Sequence, residues 1–361
     1  MTGLQINMLT PSNNATMDRL TTASYSEDEK MADAGLNSSG VHNNVSCEIQ
    51  DGSLSLVLPT CYSVIFIIGL LSNIVALSVF FFKKRTKTCI SVYMKHLAIA
   101  DFFLVLCLPV RIYYHNSPGP YFLCKTVGIF FYINMYASIL FLTLISLDRY
   151  LKIIKPVWVF KIQKVKWGQR MTCAVWVVLF SGMFPFFLEN NESHPCSGTC
   201  FHFHRKGLVG GIINLIVVGL FFLLAFLFLG FYGKIAIKLK SMSLGNAPQK
   251  TKQRKNIAII KTFVVPIIFT LCFMPYHVLR VPYVLSQMDI IKGLSARQTL
   301  HVLNELVLCL SALNSCLDPI IYFFLSYTFR KTILCAFQGQ FKKVYAVNLR
   351  GTSFVRSVTE I

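Results

Sequence analysis

Acidic side chains are scarce in this 361-residue chain: 15 Asp and Glu stand against 35 Lys and Arg, and charged residues make up only 14%. A globular protein carries about 25%, so the two soluble domains that length alone would suggest fit poorly. With 54% hydrophobic residues, the chain has too much apolar surface to stay disordered over most of its length. A small disulfide-stapled module is excluded by size. The basic excess comes without an aromatic-interleaved basic face, a zinc-ligand spacing or a helix-turn-helix pattern, which argues against a nucleic-acid partner. No His/Cys/carboxylate metal cluster and no nucleophile–base pair is legible, so nothing speaks for an enzyme. A signal-peptide pattern is missing from the first 54 residues, so the first span is expected to act as the insertion signal.

What the chain has is apolar length. Mean hydropathy is +0.57. Seven segments reach the roughly 20 apolar residues a membrane helix needs: residues 54–82 and about 89–115, 121–152, 168–188, 208–238, 256–288 and 300–325. They are continuous rather than alternating, which excludes a transmembrane barrel. Bases cluster after the first run (Lys83, Lys84, Arg85, Lys87), the third (Lys152, Lys155, Lys161, Lys164, Lys166), the fifth (Lys240, Lys250, Lys252, Arg254, Lys255) and the seventh (Arg330, Lys331, Lys342, Lys343). The positive-inside rule makes these loops cytoplasmic and the N-terminus extracellular. Glycosylation sequons at Asn14, Asn37, Asn44 and Asn191 all fall on the side so assigned to the outside. The expected fold is an all-α seven-helix membrane bundle. Its expected parts are a glycosylated extracellular tail (1–54), the bundle (55–326), and an amphipathic helix with a cytoplasmic tail (327–361).

An ionisable group inside a span marks function by default. Asp101 lies in run two, Asp148 and Arg149 end run three, and Arg280 and Asp318 lie in runs six and seven; Asn73, Ser138 and Asn314 add neutral polarity at similar depth. They belong to a pattern: Asn73, then Leu97-Ala98-Ile99-Ala100-Asp101, Asp148-Arg149-Tyr150, Trp176, Phe269-x-x-Cys272-Phe273-x-Pro275 and Asp318-Pro319-Ile320-Ile321-Tyr322. Over about residues 55–340 the sequence resembles a rhodopsin-like (class A) G-protein-coupled receptor. The resemblance implies a multi-pass plasma-membrane receptor that signals to a heterotrimeric G protein and binds arrestin, with Thr352, Ser353, Ser357 and Thr359 as phosphorylation sites.

It also implies residue roles. Asp148 can hold the Arg149 guanidinium by a charge-assisted hydrogen bond; activation loosens that restraint and turns Arg149, with Tyr150 beside it, toward the G protein. The plainer reading of Arg149 is an interfacial, snorkelling side chain. Pro275 and Pro319 each remove a backbone hydrogen bond and let runs six and seven bend. Phe273, Tyr232 and Tyr322 match switch positions. Asp101, Ser138, Asn314 and Asp318 match the family's buried sodium site; a water-filled hydrogen-bond network without an ion is the alternative. The departures are His96 for the usual Asn, Phe273 for Trp, Asp318 for Asn, and no proline in run five. Phe273 and Asp318 are shared by the purinergic branch and narrow the placement.

By the same resemblance Cys124, at the start of run three, pairs with Cys200 in the second outer loop. The branch often ties its N-terminal tail to the third outer loop, but residues 289–299 contain no Cys. The leftover Cys47 and Cys196 are expected to bond to each other. Cys335, near Arg330 and Lys331, is a candidate palmitoylation site; a plain reduced thiol is the alternative.

His277, Arg280 and Tyr283 are spaced by three along one helix face, beyond Pro275 toward the outside. A buried Arg facing a bundle interior wants an anion, and its planar fork suits phosphate or carboxylate. Arg111 adds a second cation, and Tyr132 and Tyr136 offer rings and hydroxyls. This set is similar to the purinergic subgroup of ADP, UDP-sugar and lysophosphatidylserine receptors. Asn304-Glu305 stands where the nucleotide receptors tend to carry Lys-Glu, which removes one phosphate-binding cation. With Cys200-Phe201-His202-Phe203 and Leu108-Pro109-x-Arg111, it is more similar to the lysophosphatidylserine receptor. The expected agonist is therefore a lysophospholipid, with a nucleotide or nucleotide sugar as the alternative and an Arg280–Glu305 ion pair as the purely structural use of that arginine. The subgroup implies an inhibitory G protein. Thr359-Glu360-Ile361 fits strand addition to a PDZ domain. A transporter is the competing class, but no internal repeat is visible.

Overall fold

The computed structural model describes residue 52 and residues 54–82, 88–115, 117–154, 165–188, 200–203, 205–243 and 249–336, with the backbone alone at 239, 241–243 and 249–262. Cys47, Cys196, the four sequons and the C-terminal tail lie outside the described residues. The helices are α1 Val57–Phe82, α2 Cys89–Tyr113, α3 Tyr121–Ile154, α4 Val165–Leu188, α5 Leu208–Ser243, α6 Gln249–Gln287, α7 Leu294–Ala312 and α8 Asn314–Leu325. A short α9 over residues 327–336 follows. Taking α7 and α8 as one span, seven helical runs among the described residues are long and apolar enough to cross a membrane.

Two boundaries differ most from the sequence reading. Span seven starts at Leu294 rather than 300, and α6 starts at Gln249, ahead of its apolar stretch Phe263–Gln287. Hydropathy marks only the part of a helix that lipid would cover, while backbone bonding continues past it. At Leu294 the extra turn is held by Arg297, whose Nε donates to the Ile291 carbonyl at 3.0 Å and whose guanidinium pairs with Asp289.

The core forms around α3, which packs against α2, α4, α5 and α6. In the apolar stretch of α3, 61% of residues are buried, against 11% in α4. The outward side chains of the peripheral helices are large and apolar, among them Val178, Leu223 and Phe226. Lipid is the solvent that suits such a surface. Close approach needs small residues inside: a Cβ on Gly69 of α1 would stand 2.8 Å from Val105 of α2 and 3.3 Å from Ser315 of α8.

The last span is interrupted at Leu313, not at Pro319 where a bend was expected. The proline is still the cause. It lacks the N–H that would serve the Ser315 carbonyl, and its ring crowds that carbonyl, so the distortion falls on the preceding turn. There the Cys316 N–H takes a tighter bond to the Leu313 carbonyl at 3.0 Å. Asn73 Nδ2 donates to the orphaned Ser315 carbonyl at 2.8 Å and to the Gly69 carbonyl at 2.9 Å. The backbone group lost to proline is thus satisfied from α1.

Candidate functional site

One end of the bundle carries the Cys124–Cys200 disulfide, Cα to Cα 5.7 Å. The expected pairing is present. Beside it Phe201 adopts φ 58°, a left-handed conformation that costs a non-glycine residue about 1–2 kcal/mol. This backbone delivers the Phe201 ring to 4.9 Å from the Arg111 guanidinium, and Phe131 stands at 4.9 Å as well. Arg111 donates to Glu305 Oε2 at 2.6 Å and to the Tyr62 hydroxyl at 3.2 Å. Both members of the ion pair are buried, with side-chain exposures of 4% and 7%.

Arg280 sits next to that pair and is placed differently. Its two terminal nitrogens donate to Asn304 Oδ1 and Asn214 Oδ1, each at 3.2 Å. Tyr283, Tyr276 and Tyr132 surround it, with ring centroids 5.2, 5.7 and 5.9 Å from the guanidinium carbon. Among the described residues no carboxylate lies within ion-pair distance of Arg280. The Arg280–Glu305 pair weighed from the sequence does not form, because Glu305 is taken by Arg111. Asn304 Nδ2 reaches Glu305 Oε1 at 3.4 Å and joins the two groups.

Around this centre the Tyr283 hydroxyl meets His301 Nδ1 at 3.1 Å, and the Phe203 ring lies edge-on to both side chains. His277 lies deeper: its Nδ1 meets the Phe273 carbonyl at 2.8 Å, and its ring stacks on Phe221 at 3.5 Å and meets Tyr136 edge-on at 5.9 Å. The eight ligand candidates Arg111, Tyr132, Tyr136, His277, Arg280, Tyr283, Asn304 and Glu305 therefore converge on one end of the bundle. Asn214, Tyr62 and Tyr276 belong to the same constellation and were missed. Asn214 carried a signal: between residues 208 and 231 it is the one amide or charged side chain, and a lone polar residue in such a run is informative.

At mid-depth a second polar cluster is fully enclosed. Asp101 accepts from Ser138 Oγ at 3.3 Å and from the Tyr322 hydroxyl at 3.2 Å. Asn314 Nδ2 donates to Asp318 Oδ2 at 2.8 Å. Among the described residues Asp318 Oδ1, Asn314 Oδ1 and Asn134 Nδ2 have no hydrogen-bond partner. His96, the departure from the usual Asn, accepts from Trp176 Nε1 at 3.3 Å through its Nδ1. Phe273 is buried against Phe269 at 5.6 Å, within two residues of Pro275.

At the opposite end the expected Asp148–Arg149 restraint is replaced by two other bonds. Lys152 Nζ donates to Asp148 Oδ2 at 2.8 Å, and Arg149 reaches across the bundle to donate to the Leu325 carbonyl at 3.2 Å. A lysine one turn on neutralises the carboxylate, and the carbonyl end of α8 attracts the freed cation. Tyr150 stacks on Phe231 at 4.9 Å, and the Tyr232 hydroxyl meets Ser146 Oγ at 3.2 Å. On α9, Phe329 packs against Phe80 and Tyr322, which leaves Cys335 exposed.

Seven apolar helices, a polar cluster beside a disulfide at one end, an enclosed polar cluster at mid-depth and an arginine at the other end define a seven-span receptor. Residues 72–322 match the family described as "7 transmembrane receptor (rhodopsin family)", and the chain belongs to it. The chain is 38% identical to the mouse (Mus musculus) "Probable G-protein coupled receptor 34" over 309 residues, covering 84% of this chain and 82% of the relative. It is 33% identical to a bovine (Bos taurus) purinoceptor, the type 14 receptor, over 293 residues, 77% of this chain and 84% of the relative. It is also 33% identical to the rat (Rattus norvegicus) "Uracil nucleotide/cysteinyl leukotriene receptor" over 291 residues, 79% and 84% respectively. The protein is thus a multi-pass membrane receptor of the purinergic branch, from a family that couples to G proteins and is not enzymatic.

Proposed function

We propose that this receptor, its N-terminus outside the cell, is activated by a small anionic phosphorylated ligand, a lysophospholipid, lysophosphatidylserine being the prime candidate. The observation that carries the reading is Arg280: a buried guanidinium held by two amide oxygens and three tyrosine rings, with no carboxylate in ion-pair distance among the described residues. Burying an unpaired charge costs several kcal/mol, by rough estimate, and one phosphate oxyanion relieves that cost. Arg111 is no longer a second free cation, because Glu305 neutralises it. With Arg111 paired, Arg280 is left as a buried cation with no carboxylate among the described residues, which suits a phosphodiester better than a nucleoside di- or triphosphate. Next to Arg280 stand a carboxylate and a second guanidinium. A phosphoserine headgroup presents phosphate, ammonium and carboxylate, the complementary set. The α4 and α5 helices hardly touch each other, and their outward surfaces are apolar, which favours an acyl chain over a second polar group.

The test is agonist-dependent nucleotide exchange on a G protein, read across a panel of lysophospholipids and nucleotides. Lysophosphatidylserine is expected to be the most potent member. A nucleotide or nucleotide sugar acting at lower concentration would reverse the reading. That second reading rests on the relatives whose names denote purine and uracil nucleotides and on the tyrosines that can stack on a base.

We further propose that the enclosed cluster holds a sodium ion. Asp101, Ser138, Asn314 and Asp318 offer hard oxygen donors, and Asp318 Oδ1 and Asn314 Oδ1 are buried without hydrogen-bond partners among the described residues. Two carboxyls at that depth need a shared proton or a cation. When bound, the ion supplies positive charge that stabilises the inactive arrangement. The same reading assigns an inhibitory G protein, arrestin and a PDZ protein as intracellular partners, and palmitate on Cys335.

A further inference from the structure

Asp289 stands where glycine is the ordinary residue. It follows the end of α6 in a left-handed conformation, φ 66°. Its N–H donates to the Ser286 carbonyl at 3.3 Å, and the Ile290 N–H donates to the Leu285 carbonyl at 3.1 Å. That pair of bonds closes a helix around a residue with positive φ. Glycine adopts this backbone without a Cβ penalty, and the carbonyl end of a helix disfavours a carboxylate. Arg297 is also set against its own helix. It lies in the first turn of α7, where the unpaired N–H groups disfavour a cation.

The two charges meet. The Arg297 guanidinium pairs with the Asp289 carboxylate, with the arginine enclosed at 4% exposure, and its Nε also donates to the Ile291 carbonyl at 3.0 Å. Arg205, from the second outer loop, approaches the other carboxylate oxygen at 4.0 Å. The Lys206 N–H ties the same loop to the Gln287 carbonyl at 2.9 Å. Inward from Asp289, two further links join α6 to α7: Tyr283 with His301 at 3.1 Å and Arg280 with Asn304 at 3.2 Å. Residues 297, 301 and 304 share one face of α7. Residues 289–299 hold no Cys, so the outermost link is ionic and not a disulfide.

We propose that Asp289 is a positioning residue for agonist recognition: through Arg297 it fixes the outer end of α7 against α6 and so keeps Asn304 in register with Arg280. Local preference and tertiary contact disagree at Asp289, and such disagreements tend to fall at functional sites. A fully exposed ion pair contributes little, but here the arginine is enclosed and held at a second point, so the pair keeps one geometry. This role rests on the anion site proposed at Arg280.

The test compares wild type with Asp289→Gly, Asp289→Asn and Arg297→Gln at matched surface expression, with lysophosphatidylserine as the probe in G-protein nucleotide exchange. Each variant is expected to need about tenfold more lysophosphatidylserine for a half-maximal response, within the usual span of coupling between two sites. The double variant Asp289→Asn, Arg297→Gln is expected to need no more than either single one. A second arm needs no ligand and reads amide hydrogen exchange in the purified receptor. In Asp289→Gly, residues 297–301 are expected to exchange faster, while residues 285–290, now closed by the preferred glycine, exchange no faster. Unchanged potency in Asp289→Gly overturns the proposal, because glycine serves a capping role better. Additive losses in the double variant overturn the pairing. Unchanged exchange at 297–301 overturns the link, and a potency loss beside it would mean that Asp289 meets the ligand itself. A wild type that ignores lysophosphatidylserine removes the lysophospholipid reading, and the exchange arm then decides the link alone.

Discussion

The Glu305 carboxylate lies 2.6 Å from the Arg111 guanidinium, and both are buried. Breaking such a pair leaves one charge enclosed and costs about 3–5 kcal/mol, while replacing both members by apolar residues is close to neutral. Glu305→Gln is therefore expected to lower the melting temperature of the solubilised receptor clearly, and the double variant Arg111→Met, Glu305→Leu to recover most of the loss. A double variant less stable than Glu305→Gln would show that the pair is not the unit.

Arg280 carries the anion reading, so its removal separates binding from folding. Arg280→Ala is expected to weaken agonist potency about 100-fold, in line with the loss of a buried charge-assisted contact. Surface expression should persist, because no carboxylate is left unpaired. Arg280→Lys keeps the charge and loses the fork, and an intermediate loss, about tenfold, is expected. Dose–response curves at matched expression decide it; a fully responsive Arg280→Ala would remove the anion pocket.

The sodium proposal makes a separate demand. Raising sodium chloride against a choline chloride control is expected to lower agonist affinity in the wild-type receptor and to leave Asp101→Ala unaffected. Salt sensitivity unchanged in Asp101→Ala would assign the effect to the surface.

The spans and the residues that converge at the disulfide end were legible in the sequence because each rests on a local pattern. A run of apolar residues marks a span, and a three-residue spacing puts His277, Arg280 and Tyr283 on one face. Pairing was not legible. Whether Glu305 meets Arg111 or Arg280 depends on how α2, α6 and α7 rotate against each other, and Asp148's choice between Arg149 and Lys152 depends on side-chain reach within one helix. Phe201 was quoted in a motif, but its contact with Arg111 depends on a positive φ that no spacing announces. Asn214 was readable and overlooked, hidden by the length of the apolar run around it.

Gly119 lies under the disulfide. A Cβ there would stand 2.6 Å from Cys200 Sγ and 2.5 Å from the Tyr114 ring. Gly119→Ala must displace the loop that carries Phe201, so lower surface expression and weaker agonist potency are expected together. Gly128 is the control, since among the described residues a Cβ at that position meets nothing within 4 Å. Its alanine variant should be neutral or slightly stabilising, as helix propensity predicts.

The Asn73 contact with Ser315 exists because residue 319 is proline, and that dependence can be measured. In the wild type, Asn73→Ala leaves a buried carbonyl without a donor, at a cost of about 1–3 kcal/mol. In Pro319→Ala, the restored N–H can serve the Ser315 carbonyl from within the helix, so the same Asn73→Ala change should cost less. The two substitutions are then expected to couple by about 1 kcal/mol or more in a double-mutant cycle read by thermal unfolding. Additive effects would mean that Asn73 is held by packing against α8 alone. The interruption at Leu313 should also relax in Pro319→Ala, because the ring that crowds the Ser315 carbonyl is gone. A span straightened in this way would carry Tyr322 away from Asp101, so the stability gained at one carbonyl should appear as altered basal exchange.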